Sequence, residues 1–296
     1  MSDLPGIANV APSGTKLWVA GARPRTLPAA IVPVAVGTAA AAYNGGGHII
    51  VWRAIAALIV SVGVQVGTNY VNDYADGKRG TDDVRVGPIR LVGQKLASAD
   101  AVRNAAIIAF AIAAAFGLAL CAAAGWQLAL VGAAAILAGY FYTGGPKPYG
   151  YAGLGELFVF VFFGLVATAG STYVQLERVT AKSVLAGVAL GLWATALLVV
   201  NNLRDRVGDE GSGKKTLAVR IGDRNTRAFY FACLVLGVIV ASLVTPIAIV
   251  TIGFTERPLR LVLKGAVGRD LIAVLKQTST VQIAGGALLS VGLLVR

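Results

Sequence analysis

Long apolar runs dominate this 296-residue chain and restrict it to a small set of folds. Several of these runs approach or exceed the roughly 20 residues that cross the hydrocarbon core of a bilayer. Hydrophobic residues make up 56% of the chain, charged residues 14%, and the mean hydropathy is +0.74, whereas soluble domains carry about 25% charge. Because backbone groups in lipid must be satisfied within the protein, such runs form helices. The chain is predicted to be an all-α polytopic membrane protein.

The apolar runs predict nine spanning helices. The stretch 228–254 allows two interpretations, one long helix or a hairpin that turns near Thr245-Pro246. The predicted helices lie near 26–43, 50–71, 101–122, 126–143, 155–175, 183–203, 227–244, 246–261 and 279–295.

The distribution of Lys and Arg decides between the two interpretations. With the amino terminus inside and a hairpin near Thr245, 22 basic residues lie inside and 4 outside; with one long helix the numbers are 18 and 8. The positive-inside rule therefore favours nine helices. In this topology the net charge of +12 marks cytoplasmic loops and not a nucleic-acid surface. We expect the lipid bilayer as a partner of the protein, and no nucleic acid.

The chain is predicted to form a single domain over residues 1–296. Residues 1–22 form a cytoplasmic tail without the features of a cleaved signal peptide. Two acidic motifs of matching spacing suggest two halves, about 23–145 and 150–262, followed by a ninth helix at 279–295. The oligomeric state and the length of any bound chain cannot be derived from the sequence.

Several familiar kinds of site are excluded. Cys121 and Cys233 each lie inside an apolar run and are interpreted as inert buried thiols. His48 is the only histidine, which excludes a histidine metal cluster or triad. The segment 208–215 partly matches a P-loop, but Lys215 replaces the required Ser or Thr and no strand precedes it.

Half of the 14 acidic residues lie in two short stretches that have the form Asn-x-x-x-Asp. Asn72 and Asp76 form the first, and Asn201 and Asp205 form the second, with Asp209 four residues further on. Residues four apart share a helix face, and carboxylates near lipid are usually retained for a function. Their oxygens are ligands of the kind that Mg²⁺ prefers, although a single motif is equally consistent with a solvated helix end.

Basic residues follow or neighbour both motifs. Each alone is consistent with an anchor of the positive-inside kind, but together they form a ring that would neutralise a diphosphate leaving group. The candidate diphosphate-binding residues are Arg23, Lys78, Lys147, Arg204, Lys214, Lys215 and Arg220.

These motifs resemble the UbiA superfamily of intramembrane prenyltransferases over essentially the whole chain. That resemblance implies nine transmembrane helices and two aspartate-rich motifs after the second and sixth. The first family motif is Asn-Asp-x-x-Asp-x-x-x-Asp; here the last position is Gly80, and Asp82 comes two residues later. The second motif is matched in full. The resemblance implies that Mg²⁺-diphosphate is bound by Asn72, Asp76, Asp205 and Asp209.

Within the superfamily, the stretches 23–28, 72–82, 142–156 and 201–220 resemble the MenA branch. The resemblance implies an enzyme of the bacterial cytoplasmic membrane, with its site facing the cytoplasm, that prenylates 1,4-dihydroxy-2-naphthoate with loss of carbon dioxide. Its substrates would be a polyprenyl diphosphate and this aromatic acceptor. Other acceptors (4-hydroxybenzoate, haem or a phosphosugar) and an anionic-solute transporter remain alternatives. Candidate catalytic acids, to orient the acceptor or take a proton, are Asp73, Asp82 and Glu156.

Overall fold

The computed structural model describes residues 13–80 and 89–295, and within these ranges all the regular secondary structure is helical. The helices in chain order are α1 (Thr15–Gly21), α2 (Pro28–Asn44), α3 (Val51–Arg79), α4 (Ala99–Ala124), α5 (Gln127–Phe141), α6 (Gly155–Leu176, with a π-helical section at Phe160–Val166), α7 (Ala181–Gly211), α8 (Leu217–Val244), α9 (Ile252–Leu263) and α10 (Asp270–Leu294).

Each of the nine predicted helices corresponds to a helical segment, although α8 and α10 begin at Leu217 and Asp270, ten and nine residues before the predicted starts. The predicted break near Thr245-Pro246 is confirmed, because α8 ends at Val244 and Thr245 is extended. Pro246 then starts a 3₁₀ turn that leads into α9. Proline is well suited to this position, because it lacks an N–H group that the first helical turn would leave unpaired.

Not every helix of the bundle is long and apolar enough to cross a bilayer by itself. Within the described part of the chain, α3, α4, α6, α7 and α8 are long and apolar enough to span a bilayer. A sixth span results if Thr15–Thr26 and α2, which meet at a bend of 58°, are counted together. Nine crossings therefore stay a prediction, although the all-helical fold is confirmed.

The two helices that carry the acidic motifs extend further than predicted. We expected ends near 71 and 203, but α3 continues to Arg79 and α7 to Gly211. Hydropathy marks where a helix leaves lipid, whereas the helix itself ends at a capping signal. For α3 that signal is Gly80, whose φ of 70° is easily adopted only by glycine. Both motifs consequently lie on regular helical turns and not in loops.

Trp193 is the largest fully buried side chain, and its surroundings explain how α7, α8 and α10 pack. A Cβ atom at Gly237 of α8 would lie 2.3 Å from the indole Nε1, and one at Gly285 of α10 would lie 2.4 Å from the far ring edge. The two glycines leave the volume that the indole fills, which gives the close packing typical of helices in membranes.

Helices α6 and α7 approach each other through glycines as well. A Cβ atom on Gly164, within the π-helical section, would lie 2.4 Å from the Cα of Gly191 and 2.6 Å from the carbonyl oxygen of Gly187. Backbone atoms cannot move aside as a flexible side chain can, so this contact requires glycine. It holds the aromatic face of α6 in a fixed position beside α7.

We predict that Gly164→Ala lowers the midpoint of thermal unfolding by several degrees, because forcing an extra carbon into a packed contact costs about 1–3 kcal/mol. The matched control is Gly170→Ala in the same helix, where an added Cβ meets no atom within 4 Å. Unfolding of the two variants in detergent, followed by circular dichroism, measures the difference. Equal midpoints would contradict the close approach of α6 and α7.

Candidate active site

A cavity of about 930 Å³ lies inside the helical bundle and has two chemically different ends. One end carries charged and amide side chains from α3, α7 and the segment that follows α7. The other is apolar, with side chains from α4, α5 and α6. The apolar wall includes Leu120, Leu128, Phe158, Phe162 and Val166. The cavity can therefore take a ligand that is anionic at one end and hydrocarbon at the other.

Asn72 and Asp76 lie one turn apart on α3 and both face the cavity. The Thr143 hydroxyl donates a hydrogen bond to Asn72 Oδ1 at 2.6 Å. The Tyr151 hydroxyl donates to Asp76 Oδ1, and Lys214 Nζ lies 3.6 Å from that same oxygen. The side chains of Asp76 and Lys214 are only 3% and 7% exposed, so each compensates the buried charge of the other.

The second acidic motif contributes Asn201, Arg204 and Asp209 to the cavity wall. Asp205 is held by Arg204, whose Nε and Nη2 each lie 2.7 Å from a different carboxylate oxygen of Asp205. Asp205 is not on the cavity wall in this arrangement, so its role as a metal ligand stays a prediction. Asp209, which is buried, is the acid of this motif that faces the cavity.

No group of three or more His, Cys, Asp or Glu side chains in residues 13–80 and 89–295 is close enough to hold a metal ion. The oxygen donors on the cavity wall are nevertheless those that Mg²⁺ uses, namely Asn72, Asp76 and Asp209. Because Mg²⁺ is usually held by one or two carboxylates together with substrate phosphates, this donor set fits that ion.

The predicted cations divide into two groups. Arg23, Arg204 and Lys214 line the cavity. The other four are exposed and lie off the wall, namely Lys78, Lys147, Lys215 and Arg220. Lys78 Nζ lies over the Tyr74 ring. Arg220 Nε donates a hydrogen bond to the carbonyl oxygen of Lys215 at 3.1 Å. Their role in binding diphosphate stays a prediction.

Two of the three candidate catalytic acids, Glu156 and Asp73, also lie off the wall. Glu156 is buried, and its Oε1 accepts a hydrogen bond from Asn202 Nδ2 at 2.9 Å; Asn202 itself lines the cavity. Glu156 is therefore positioned to orient this amide. Asp82 lies outside the described residues.

Asp73 has no solvent exposure and is not among the residues that line the cavity. Oδ2 accepts a hydrogen bond from the Leu91 amide at 2.7 Å, and Oδ1 accepts one from the Val92 amide at 3.1 Å. This carboxylate joins α3 to the segment that precedes α4. Asp73 follows Asn72 directly, and neighbouring helix positions point about 100° apart, so the two side chains serve different surfaces.

Sequence reasoning missed Tyr151, Thr143 and Arg90 as parts of the site. The ring of Tyr151 lies 4.5 Å from Lys214 Nζ and 5.4 Å from the Arg79 guanidinium carbon. Arg79 also donates to the carbonyl oxygens of Thr143 and Gly145, both at 2.5 Å. For Thr143 and Tyr151 a signal was available, because the loop after α5 lies on the same predicted membrane side as the motifs.

An aromatic row follows the cavity wall beside the charged end. The Tyr149 and Phe158 rings stack with centroids 4.0 Å apart, and Phe158 and Phe162 stack at 6.0 Å. Tyr149 donates its hydroxyl to the carbonyl oxygen of Ala138 at 2.8 Å. Burial raises the pKa of this hydroxyl above its usual range, so Tyr149 stays neutral at physiological pH.

The chain belongs to the UbiA prenyltransferase family, whose model matches residues 30–262. It is 50% identical to the 1,4-dihydroxy-2-naphthoate octaprenyltransferase of Mycobacterium tuberculosis, over 88% of this chain and 91% of that protein. The enzyme of the same name from Escherichia coli is 40% identical, over 77% of this chain and 75% of that protein.

Solved structures agree in fold. A UbiA homolog from Archaeoglobus fulgidus bound to GPP and Mg²⁺ matches with a TM-score of 0.68 at 16% identity, over 94% of this chain and 99% of that one. A UbiA homolog from Aeropyrum pernix, solved without ligand, also gives a TM-score of 0.68, at 18% identity, over 92% of this chain and 98% of that one. At this level of identity the similarity establishes the helical fold alone.

We predict that Asp73→Asn loosens the segment before α4, because an amide side chain cannot accept two hydrogen bonds as strongly as a carboxylate does. Hydrogen–deuterium exchange should then show faster exchange at the amides of Leu91 and Val92. Asp100→Asn, a change at an exposed carboxylate, is the control. Unchanged protection of both amides would mean that Asp73 does not hold this segment.

Proposed function

We propose that this protein transfers a polyprenyl group from polyprenyl diphosphate to 1,4-dihydroxy-2-naphthoate, with loss of carbon dioxide, to give the demethylmenaquinone of menaquinone biosynthesis. The observation that carries the proposal is a cavity that combines a charged end with a long apolar end. The identities of 40–50% with proteins of that named activity support the choice of acceptor.

The charged end suits a diphosphate and Mg²⁺. Asn72, Asp76 and Asp209 would hold the ion, which when bound offsets negative charge on the diphosphate as the allylic C–O bond breaks. Lys214 and Arg204 lie on the same wall and would bind diphosphate oxygens directly. Fixed cations stabilise developing charge best where water is excluded, because the local dielectric is low.

The apolar end suits the prenyl tail and protects the reactive centre. Water would quench an allylic cation, so excluding it favours transfer to the acceptor. The stacked rings of Tyr149 and Phe158 lie where the apolar wall meets the charged end. Aromatic faces attract cations, and these two rings would stabilise the allylic cation until the acceptor attacks.

The distribution of basic residues supports a site that faces the cytoplasm. Lys214 and Arg204 belong to segments that the positive-inside rule assigns to the cytoplasmic side, and the amino-terminal ends of α4, α6, α8 and α10 lie on that side in the same topology. Together with the long apolar helices, this supports an integral protein of the bacterial cytoplasmic membrane.

We predict that Asp76→Asn and Asp209→Asn each lower the turnover number by about 100-fold or more, since each removes a charged oxygen that faces the diphosphate. Asp100→Asn, at an exposed carboxylate outside the cavity, should keep full activity. EDTA should abolish the activity of the parent protein, and added Mg²⁺ should restore it. Near-normal turnover in either cavity variant would contradict the proposed metal site.

The reaction can be tested with naphthoate labelled at its carboxylate carbon. Attack by the ring carbon that carries the carboxylate leaves that carbon saturated, and loss of carbon dioxide returns the bonding electrons to the ring. Labelled carbon dioxide should therefore appear in a 1:1 ratio to the prenylated product. Retention of the label, or turnover of 4-hydroxybenzoate alone, would show that the acceptor is wrong while leaving the fold and the charged cavity unaffected.

A further inference from the structure

The segment 89–97 is a compact turn that is fastened to α3. Its own backbone is closed by hydrogen bonds from the Leu96 and Ala97 amides to the carbonyl oxygen of Leu91, at 2.8 and 3.0 Å. Asp73 binds it through the two amides described above. The fit against α3 is close, because a Cβ atom on Gly77 would lie 2.6 Å from Val92 Cβ. The position of this turn is therefore fixed relative to the cavity.

Arg90 immediately precedes the two anchored amides and lines the cavity. It is only 7% exposed. Arg23 lines the same cavity and lies close enough to Asp73 for their charges to interact. Its φ of 54° is a left-handed conformation that non-glycine residues rarely adopt, and such strain is common where a side chain is held for binding.

Asn72 and Asp76 lie on one flank of helix α3 and Asp73 on another, and the cations held by both flanks line the same cavity. On one flank, Asn72 and Asp76 contact Thr143, Tyr151 and Lys214. On the other flank, Asp73 holds the turn that carries Arg90. The two flanks differ by about 100° around the helix, because Asp73 is one residue from Asn72.

The cavity wall beside Arg23 also carries a network of neutral polar groups. The Thr26 hydroxyl accepts hydrogen bonds from Gln65 Nε2 at 2.9 Å and from Asn69 Nδ2 at 3.0 Å. The Thr26 hydroxyl in turn donates to the carbonyl oxygen of Arg23 at 2.9 Å. All three network side chains line the cavity. This wall therefore offers oriented hydrogen-bonding groups for a ligand that carries hydroxyls as well as a negative charge.

We propose that Arg90, supported by Arg23, binds the carboxylate of the aromatic acceptor, and that the Thr26–Gln65–Asn69 network orients its hydroxyl groups. The inference rests on the proposed function, because it names the subsite for the second substrate. Both substrates are anions, and two anions in one cavity repel each other unless each has its own cation. An arginine fork matches a planar carboxylate with two parallel hydrogen bonds. Carbon dioxide is neutral, so Arg90 no longer has a charged group to bind once the carboxylate has left, and the product is bound more weakly.

Steady-state kinetics of Arg90→Gln test the inference directly. The KM for the naphthoate should rise about 10- to 100-fold, the value of hydrogen bonds to a charged group, while the KM for polyprenyl diphosphate stays unchanged. Arg90→Lys should show a smaller rise, because lysine keeps the charge but not the fork. Arg103→Gln, at an exposed arginine near the start of α4, is the matched control and should change neither constant.

Asp73→Asn should act in the same direction through Arg90. We expect a rise in the KM for the naphthoate with a smaller change in kcat, since Asp73 positions the arginine and contacts no substrate. A loss of kcat with both KM values unchanged would assign Asp73 to the chemical step and contradict this positioning role.

A binding measurement separates this inference from the proposed reaction. Calorimetry on the protein in lipid nanodiscs, without diphosphate, should show tighter binding of 1-hydroxy-2-naphthoate than of 1-naphthol. Arg90→Gln should bind the two compounds with similar affinity. The inference is overturned if the parent protein does not prefer the carboxylate, if the variant keeps that preference, or if the KM for polyprenyl diphosphate rises as much as that for the acceptor. If instead another aryl carboxylate proves to be the acceptor and its binding depends on Arg90, the proposed reaction fails and the inference stands.

Discussion

The pairing of Asp76 with Lys214 is the interaction on which the arrangement of the cavity depends. Two charges that are nearly without exposure are costly to bury, and either one alone would destabilise the bundle. Their contact joins α3 to the segment after α7, and the Tyr151 hydroxyl adds the loop after α5 to the same carboxylate. Three segments far apart in the sequence are thus held around one oxygen atom, at the place where an anionic substrate would enter.

Helix α3 has two polar surfaces that serve different purposes. The surface with Asn72 and Asp76 faces the cavity, whereas Asp73 faces the neighbouring turn. A motif of consecutive polar residues therefore combines ligand-binding groups with a group that organises the surroundings. This division explains why neighbouring acids in one motif are expected to respond differently to substitution.

The fold was largely predictable because lipid imposes strong rules on sequence. Hydropathy predicted the nine helical segments. The distribution of basic residues between the two sides of the membrane favoured the break at Thr245-Pro246. The shared cavity-facing side of Asn72 and Asp76 follows from their spacing of about one helical turn, whereas Asp205 and Asp209 have the same spacing and only Asp209 lines the cavity. The contacts of Asp205 with Arg204 and of Asp73 with the segment 89–97 could not be predicted in this way.

The basic residues show where sequence reasoning reaches its limit. The number of basic residues can be counted in the sequence, and their side of the membrane can be predicted from it. The direction of each side chain, however, depends on tertiary packing. Lys214 turns inward because it meets Asp76, while Lys215 beside it is exposed. Arg90 is indistinguishable from the loop arginines around it until the anchoring of its turn is known.

The π-helical section of α6 has a consequence for how this cavity can vary among relatives. Such a section holds one residue more than a regular helix of the same length. Removing one residue between Phe160 and Val166 would restore the regular helix and rotate every preceding side chain by about 100° relative to those that follow. Phe158, near the charged end, would then turn away from the wall, while the helix remained long enough to cross the bilayer. A single-residue deletion or insertion at this point would thus reshape the reaction chamber without refolding the bundle.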